Sequence, residues 1–592
     1  MCGICGEIFF NTQPIYEDSV VRMNQAMASR GPDNQDIYHG IWTLMGHRRL
    51  KIIDLSDDSN QPMIDPKLGL IIVFNGAIYN YKALKDELTD KGYTFHTTGD
   101  TEVILKAYHA WGEDCVKRFN GMFAFAIYNQ NKDKVFMARD RLGIKPLYFH
   151  KTDNSLLFAS SVPALLATGK IKPQISAHAL HYYLTFHSVV PGPHTLVSGI
   201  EKLPPATWAV VSQDGTMTQH TYWQPVYQRD KEEDTYTFDD WKNLVSQTLM
   251  ASVKRRLVAD VPVGVLLSGG LDSSLVVGLL AEAGQKNLKT FSIGFDSVGD
   301  EPGDEFLYSD IIARHFATDH HKIQVAADQV LPSLPACVKA MSEPMVSHDC
   351  IGFYLLSREV AKHVKVVQSG QGADEIFAGY HWYPPMMESS NPVADYRSVF
   401  GDRTHEEYLE MVTGAFQGPD YSTQFIQRHF DMPGADTAID KALRLDTLVM
   451  LTEDPVKRVD NMTMAWSLEA RVPFLDHELV ELAAKIPPEH KVTHGGKHIL
   501  KEAARSVIPN EVIDRPKGYF PVPALKYLQG RYLDFVTGIL NTEPATKRDL
   551  FNRDYIDTLL ADPESHITPL KGSKLWQAAL LEFWCQQQDI QS

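Results

Sequence analysis

Residues 260–284 read DVPVGVLLSGGLDSSLVVGLLAEAG. An apolar run, a Gly-Ser turn and an apolar-periodic segment follow one another, which is the order of strand, loop and helix. A similar order returns at 364–380, VKVVQSGQGADEIFAGY, where an apolar strand leads to a second Gly-Ser turn followed by Asp374 and Glu375. A loop at a helix N-terminus presents unpaired backbone N–H groups and the positive end of the helix dipole, which suits phosphates. SGGLDSS lacks both the G-K-[ST] of a Walker loop and the three spaced glycines of a dinucleotide fingerprint. Asp272 inside such a loop would repel phosphate unless a cation bridged them, so its presence argues for Mg²⁺.

A chain of 592 residues exceeds what one hydrophobic core usually serves, and two or three domains are expected. The stretch 211–238 turns polar, with the charged cluster RDKEED at 229–234, and is expected as a linker. The domains are then 1–210 and 239–592, the second opening on the helical pattern of DDWKNLVSQTLMASVKRRLV. Six cysteines are too few for a disulfide framework, and no apolar run of about 18 residues occurs. A reducing, cytoplasmic setting is expected. The formal charge of -17 opposes nonspecific binding to nucleic acid or to an anionic membrane and favours small-molecule chemistry.

The chain begins MCGICG. A zinc site would need two more ligands at suitable spacing, and a thioredoxin-like pair should follow a strand; neither context exists here. Cys5 suits a buried position in the strand GICGEIFF. Cys2 becomes the first residue once Met1 is removed, and a free α-amine with a pKa of about 7.7–8.0 can accept the thiol proton. Nucleophile and base then share one residue.

MCGICG, RGPD, GHRRLKIIDL, FNGAIYNY, GDTEVILKAY, NGMFAFAIY and RDRLGIKPLY occur in order over the first 148 residues. Together they resemble a glutamine amidotransferase domain with an N-terminal cysteine nucleophile. The resemblance implies an N-terminal-nucleophile αββα sandwich, and alternating stretches such as KVFMARD and LLFASS suit its strands. It also implies that Cys2 attacks the glutamine amide, giving a thioester and ammonia. Arg49 would hold the α-carboxylate, Asp100 the α-ammonium, and Asn75 with the Gly76 N–H the oxyanion, while Ile53 and Ala77 complete the glutamine site. Many relatives have Asn-Gly-Glu where this chain has Asn75-Gly76-Ala77, so an acidic group near the glutamine amine is absent from that position.

SGGLDSS resembles the pyrophosphate loop of ATP pyrophosphatases, and segments 458–487 and 495–505 are similar to the synthetase domain of the asparagine synthetase family. A doubly wound α/β domain is implied. ATP would be cleaved to AMP and pyrophosphate, with Leu267, Ser268, Gly269, Gly270, Asp272, Ser273, Ile293, Ser369 and Gly370 around the nucleotide. Mg²⁺ would be held by Asp272 and Asp374, and Lys497 would balance phosphate charge.

The two resemblances imply one reaction: ammonia from glutamine converts an acyl-adenylate to an amide. The expected partners are glutamine, ATP and a carboxylate acceptor, without nucleic acid or membrane, and a homodimer is allowed for. Asparagine synthetases carry a glutamate in the loop that here contains neutral Gln371. Segments 182–195, 342–350, 378–385 and 515–523 instead resemble the N-acetylglutaminylglutamine amidotransferase branch, which amidates a capped dipeptide osmolyte. The aromatic cluster Tyr380, His381, Trp382 and Tyr383 would suit such a peptide or be a packed loop. Aspartate remains the alternative acceptor. A glutamine or nucleotide sensor without turnover is the reading from a different class.

Overall fold

The computed structural model describes residues 2–10, 17–296, 303–516, 518, 525 and 528–591. Among these residues, two antiparallel sheets form the first unit. One runs in the order Glu201–Lys202, Tyr148–Lys151, Ser155–Ala159, Gly3–Phe9, Thr43–Arg49 and Asn34–His39. The other runs Met217–Thr221, Thr207–Ser212, Lys134–Arg139, Gly121–Asn129, Leu70–Ile78 and Met63–Asp65. Successive side chains on a strand point to opposite faces, and the central strands here are apolar on both. Ile4 and Ile8 share a core with Ile71, Val73, Ala124 and Met137 between the sheets. Cys5 and Phe9 instead share one with Val20 and Met23 of helix Asp18–Ala26. On the far side, Ile72 and Phe74 pack with Val103 and Ile104 of helix Asp100–Trp111. The layers are helix, sheet, sheet, helix, as the resemblance implies.

Within the stretch expected as a linker, Ser212 still ends one strand and Met217–Thr221 forms another at the edge of the second sheet. Met217 is half-buried and the next four residues are exposed, so this edge strand lacks the apolar alternation that marks the inner ones. Helix Phe238–Arg255 then begins at a capping box between Thr237 and Asp240.

The second unit contains a parallel sheet in the order Asp319–Val325, Lys289–Phe295, Val263–Leu266, Val366–Gln368 and Glu469–Arg471. The strand order reverses between Val263–Leu266 and Val366–Gln368. In a doubly wound sheet, ligands bind outside the strand ends at that reversal. Both Gly-Ser turns leave the sheet there.

The units are joined by buried ion pairs. Asp460 meets Arg30 at 2.9 Å and Lys145 at 3.3 Å, while Lys202 meets Glu343 at 2.7 Å and Glu453 at 2.5 Å. All six cysteines are free and buried. No helix among the described residues is long and apolar enough to cross a membrane.

Candidate active sites

The first site is a cleft whose lining includes Cys2, Arg49, Ile53, Gly76, Ala77 and Asp100. Cys2 precedes the central strand of one sheet, and its backbone N–H donates to Asn75 Oδ1 on the other sheet at 3.1 Å. That bond leaves Asn75 Nδ2 buried without a partner, a costly state unless a ligand accepts from it. Glycine is required next: a Cβ on Gly76 would stand 2.1 Å from Met122 O. Arg49 is held in place by Ser56 O at 2.6 Å, Asn60 Oδ1 at 2.7 Å and Asp54 O. Asp100 Oδ2 accepts the Ile78 N–H at 2.9 Å, and burial pushes its carboxyl up to about 6. Burial also raises the Cys2 thiol, partly offset by the positive charge of the amino terminus and by Arg49.

Cys2 and Cys5 form no disulfide with one another. The Cys5 Sγ packs 3.6 Å from Asn24 Oδ1 and 3.9 Å from Val20 O in the outer core, which agrees with the buried-strand reading. Among the lining residues outside the expected set, Glu469 comes from the other domain, carried by the edge strand of the parallel sheet. No local pattern in SLEARVPF distinguishes it from an ordinary strand residue, because the contact is made across domains.

The second site lies at the reversal of the parallel sheet. Gly269 has φ +77°, and a Cβ there would stand 2.6 Å from Ser309 N. Ser268 Oγ and Ser273 Oγ lie 3.1 Å apart across the turn. The second turn is laid against the first: a Cβ on Gly370 would come within 2.8 Å of Ser273 N. Ser369 N–H donates to Arg471 O at 2.8 Å. Lys497 has a left-handed backbone after Gly495 and Gly496, and a Cβ on Gly496 would stand 2.5 Å from Ala378 O. The turn brings Lys497 Nζ to 2.6 Å from Asp272 Oδ2 and 2.8 Å from Asp374 Oδ1. These two carboxylates hold the Lys497 ammonium above its ordinary range despite its burial. Asp272 and Asp374 therefore converge from the two turns as hard oxygen donors, the kind that Mg²⁺ takes, with the Lys497 ammonium between them.

Leu267 and Ile293 are buried in the core, so what they can present to a ligand is mainly backbone. Burial and the adjacent Asp374 push Glu375 up to about 7, and it accepts the Tyr380 hydroxyl at 2.7 Å. The aromatic cluster divides. Trp382 and Tyr383 are buried, and Trp382 Nε1 donates to Asp446 Oδ2 at 2.9 Å, so these two belong to a packed layer rather than an open peptide groove. Tyr380, half-buried, stacks on Trp382 at 4.1 Å, and His381 is exposed. In segment 515–523, Lys517 and residues 519–523 lie outside the described residues. Arg515 pairs with Glu305 at 2.8 Å, and its Nη2 would lie 3.6 Å from a Cβ on Gly270. This places a cation against the phosphate-type turn that motif reading did not single out.

Comparison with known proteins agrees with both halves. Residues 1–223 match the glutamine amidotransferase domain model, and residues 244–586 match the asparagine synthase model. Asparagine synthetase [glutamine-hydrolyzing] 1 of Bacillus subtilis (strain 168) is 31% identical, the match covering 99% of this chain and 96% of that protein. Asparagine synthetase [glutamine-hydrolyzing] 3 of the same organism is 32% identical, covering 95% and 93%. Asparagine synthetase B [glutamine-hydrolyzing] of Escherichia coli (strain K12) is 28% identical, covering 88% and 82%. With both domain models matched in one chain and relatives aligned almost end to end, the chain belongs to the asparagine synthase family, as a glutamine-dependent ligase carrying its own amidotransferase domain.

Proposed function

We propose that this chain hydrolyses glutamine at Cys2 and uses the ammonia to amidate an ATP-activated carboxylate. With Met1 removed, the Cys2 α-amine takes the thiol proton and the thiolate attacks the glutamine side-chain amide. Asn75 Nδ2 and the Gly76 N–H donate to the oxyanion, the point where preorganised donors act most strongly. Arg49 pairs with the α-carboxylate and Asp100 with the α-ammonium, while Ile53 and Ala77 bound the side chain. Ammonia leaves, and water releases glutamate from the thioester.

At the second site the two turns, through Ser268, Gly269, Gly270, Ser273, Ser369 and Gly370, cradle the phosphates of ATP beside Leu267 and Ile293. The acceptor carboxylate attacks the α-phosphorus and pyrophosphate departs; ammonia then displaces AMP. When bound by Asp272 and Asp374, Mg²⁺ supplies charge neutralisation at the phosphates. Lys497 stands where it can exchange its carboxylate partners for phosphate oxygens. The convergence of Lys497, Asp272 and Asp374 on one point between two phosphate-type turns carries this reading.

The acceptor in this proposal is N-acetylglutaminylglutamine, amidated at its terminal carboxylate. Neutral Gln371 in the second turn, and Tyr380 with His381 beside it, suit neutral amides better than the paired charges of a small zwitterion. Aspartate is the second reading, favoured by the names of the full-length relatives. A site built for paired charges rejects a ligand without them by leaving its own groups unpaired, so preference is pronounced rather than graded. Purified protein is given glutamine, ATP, Mg²⁺ and either acceptor. Faster pyrophosphate release with the dipeptide, and its terminal amide by mass spectrometry, are expected. Asparagine as sole product would assign aspartate instead.

A further inference from the structure

The glutamine cleft belongs to the amidotransferase sandwich, yet one of its walls does not. Glu469 lines it together with Cys2, Arg49, Ala77 and Asp100, although it lies on the edge strand of the synthetase sheet. A free amino acid brings a carboxylate and an ammonium, and the cleft must match both. Arg49 answers the first. For the second, Ala77 offers no charge, and the carboxylates in the lining are Asp100 and Glu469.

We propose that Glu469 is a glutamine-specificity residue: its carboxylate, with that of Asp100, holds the α-ammonium of glutamine, so the cleft is complete only when the synthetase domain is docked. The proposal rests on the reading that this cleft binds glutamine.

The geometry preorganises the group. Arg471 Nε grips Glu469 Oε1 at 2.6 Å, and the same guanidinium is anchored by Arg256 O at 2.8 Å and Val258 O at 2.7 Å. The Glu469 backbone N–H is tied to Lys365 O at 2.8 Å, which fixes the strand that carries it. The electrostatics agree: Arg471, the amino terminus and Lys145 together keep the buried Glu469 carboxyl below its ordinary range, whereas Asp100 is raised. At neutral pH Glu469 is the more firmly ionised of the two. Two carboxylates and one guanidinium in a single lining match an α-amino acid and discriminate against the same amide lacking its amine.

The test compares glutamine with 4-carbamoylbutanoate, which keeps the carboxylate and side-chain amide but has no ammonium. Full-length wild-type protein should prefer glutamine strongly. Glu469→Gln keeps the shape and a hydrogen bond to Arg471 while removing the charge. Loss of one charge-assisted contact should raise the KM for glutamine by about tenfold or more and shrink the preference over 4-carbamoylbutanoate by a similar factor. Adding Ala77→Glu to that variant should lower the KM again, because it returns a carboxylate to the lining from the amidotransferase domain. Ammonium-dependent synthesis, which bypasses the cleft, reports whether the variant is folded. An unchanged KM and preference in folded Glu469→Gln would overturn the inference, as would a raised KM that Ala77→Glu leaves unrescued with the preference intact. Absence of any glutamine hydrolysis by wild-type protein would instead strike the underlying functional reading.

Discussion

Lys497 Nζ stands 2.6 Å from Asp272 Oδ2, a pair drawn from positions 225 residues apart in the chain. Asp374 closes on the same ammonium at 2.8 Å. One ammonium between two carboxylates leaves a net negative charge on the cluster, which suits a cation arriving with the phosphates. Lys497→Met should lower AMP and pyrophosphate formation by about 10²-fold or more, the scale for losing one preorganised electrostatic group. Asp272→Asn or Asp374→Asn should suppress the same products and raise the Mg²⁺ concentration needed for half-maximal rate. Glutamine hydrolysis in these variants checks that the first domain is intact. ADP as the nucleotide product of the wild-type protein would refute the loop assignment.

Cys2→Ala removes the nucleophile and leaves the second site untouched. Glutamine-dependent synthesis should vanish while synthesis from added ammonium salts continues. Measuring both with the same protein preparation decides the point: loss of both at unchanged thermal stability would break the proposed division of labour.

Asp100 is pushed up to about 6, chiefly by burial. As pH falls through that value the carboxylate takes a proton and no longer offers a charge to the glutamine ammonium. The KM for glutamine should therefore be flat above pH 7 and rise as pH falls below about 6, approaching tenfold per unit if one protonation governs it. A glutaminase pH profile resolved into KM and kcat tests the sign. A KM that improved in acid would contradict the assignment of Asp100.

Asp460 serves two cations at once, Arg30 at 2.9 Å and Lys145 at 3.3 Å, and all three side chains are buried at the junction of the units. Asp460→Ala leaves both positive charges without this partner. Breaking a buried pair from one side costs about 3–5 kcal/mol, so the junction should open at lower urea concentration than in the wild type. Limited proteolysis across a urea series would show earlier cleavage between the units. Asp460→Asn, which keeps hydrogen-bond acceptance, should lie between the two.

The sequence by itself determined the pieces whose signal is local. The strand, Gly-Ser turn and helix at 260–284 are written in consecutive residues, because an apolar run and a helix N-terminus need only near neighbours. Cys2, Arg49, Asn75 and Asp100 are legible as a series of motifs; in the structure Cys2, Arg49 and Asp100 line one cleft, and Asn75 accepts the Cys2 N–H. Met217–Thr221 escaped notice because an exposed edge strand carries no apolar alternation. Tyr380 to Tyr383 could be weighed only as residue types; the sharing out of burial, with Tyr383 in the core and His381 in solvent, follows from what packs over them. Glu469 and Arg515 were decided by the tertiary structure alone. The cleft residues that Glu469 joins, and the Glu305 that Arg515 meets, lie on elements hundreds of residues away, and no chain-local pattern encodes which charge a distant strand or loop will bring to a cleft.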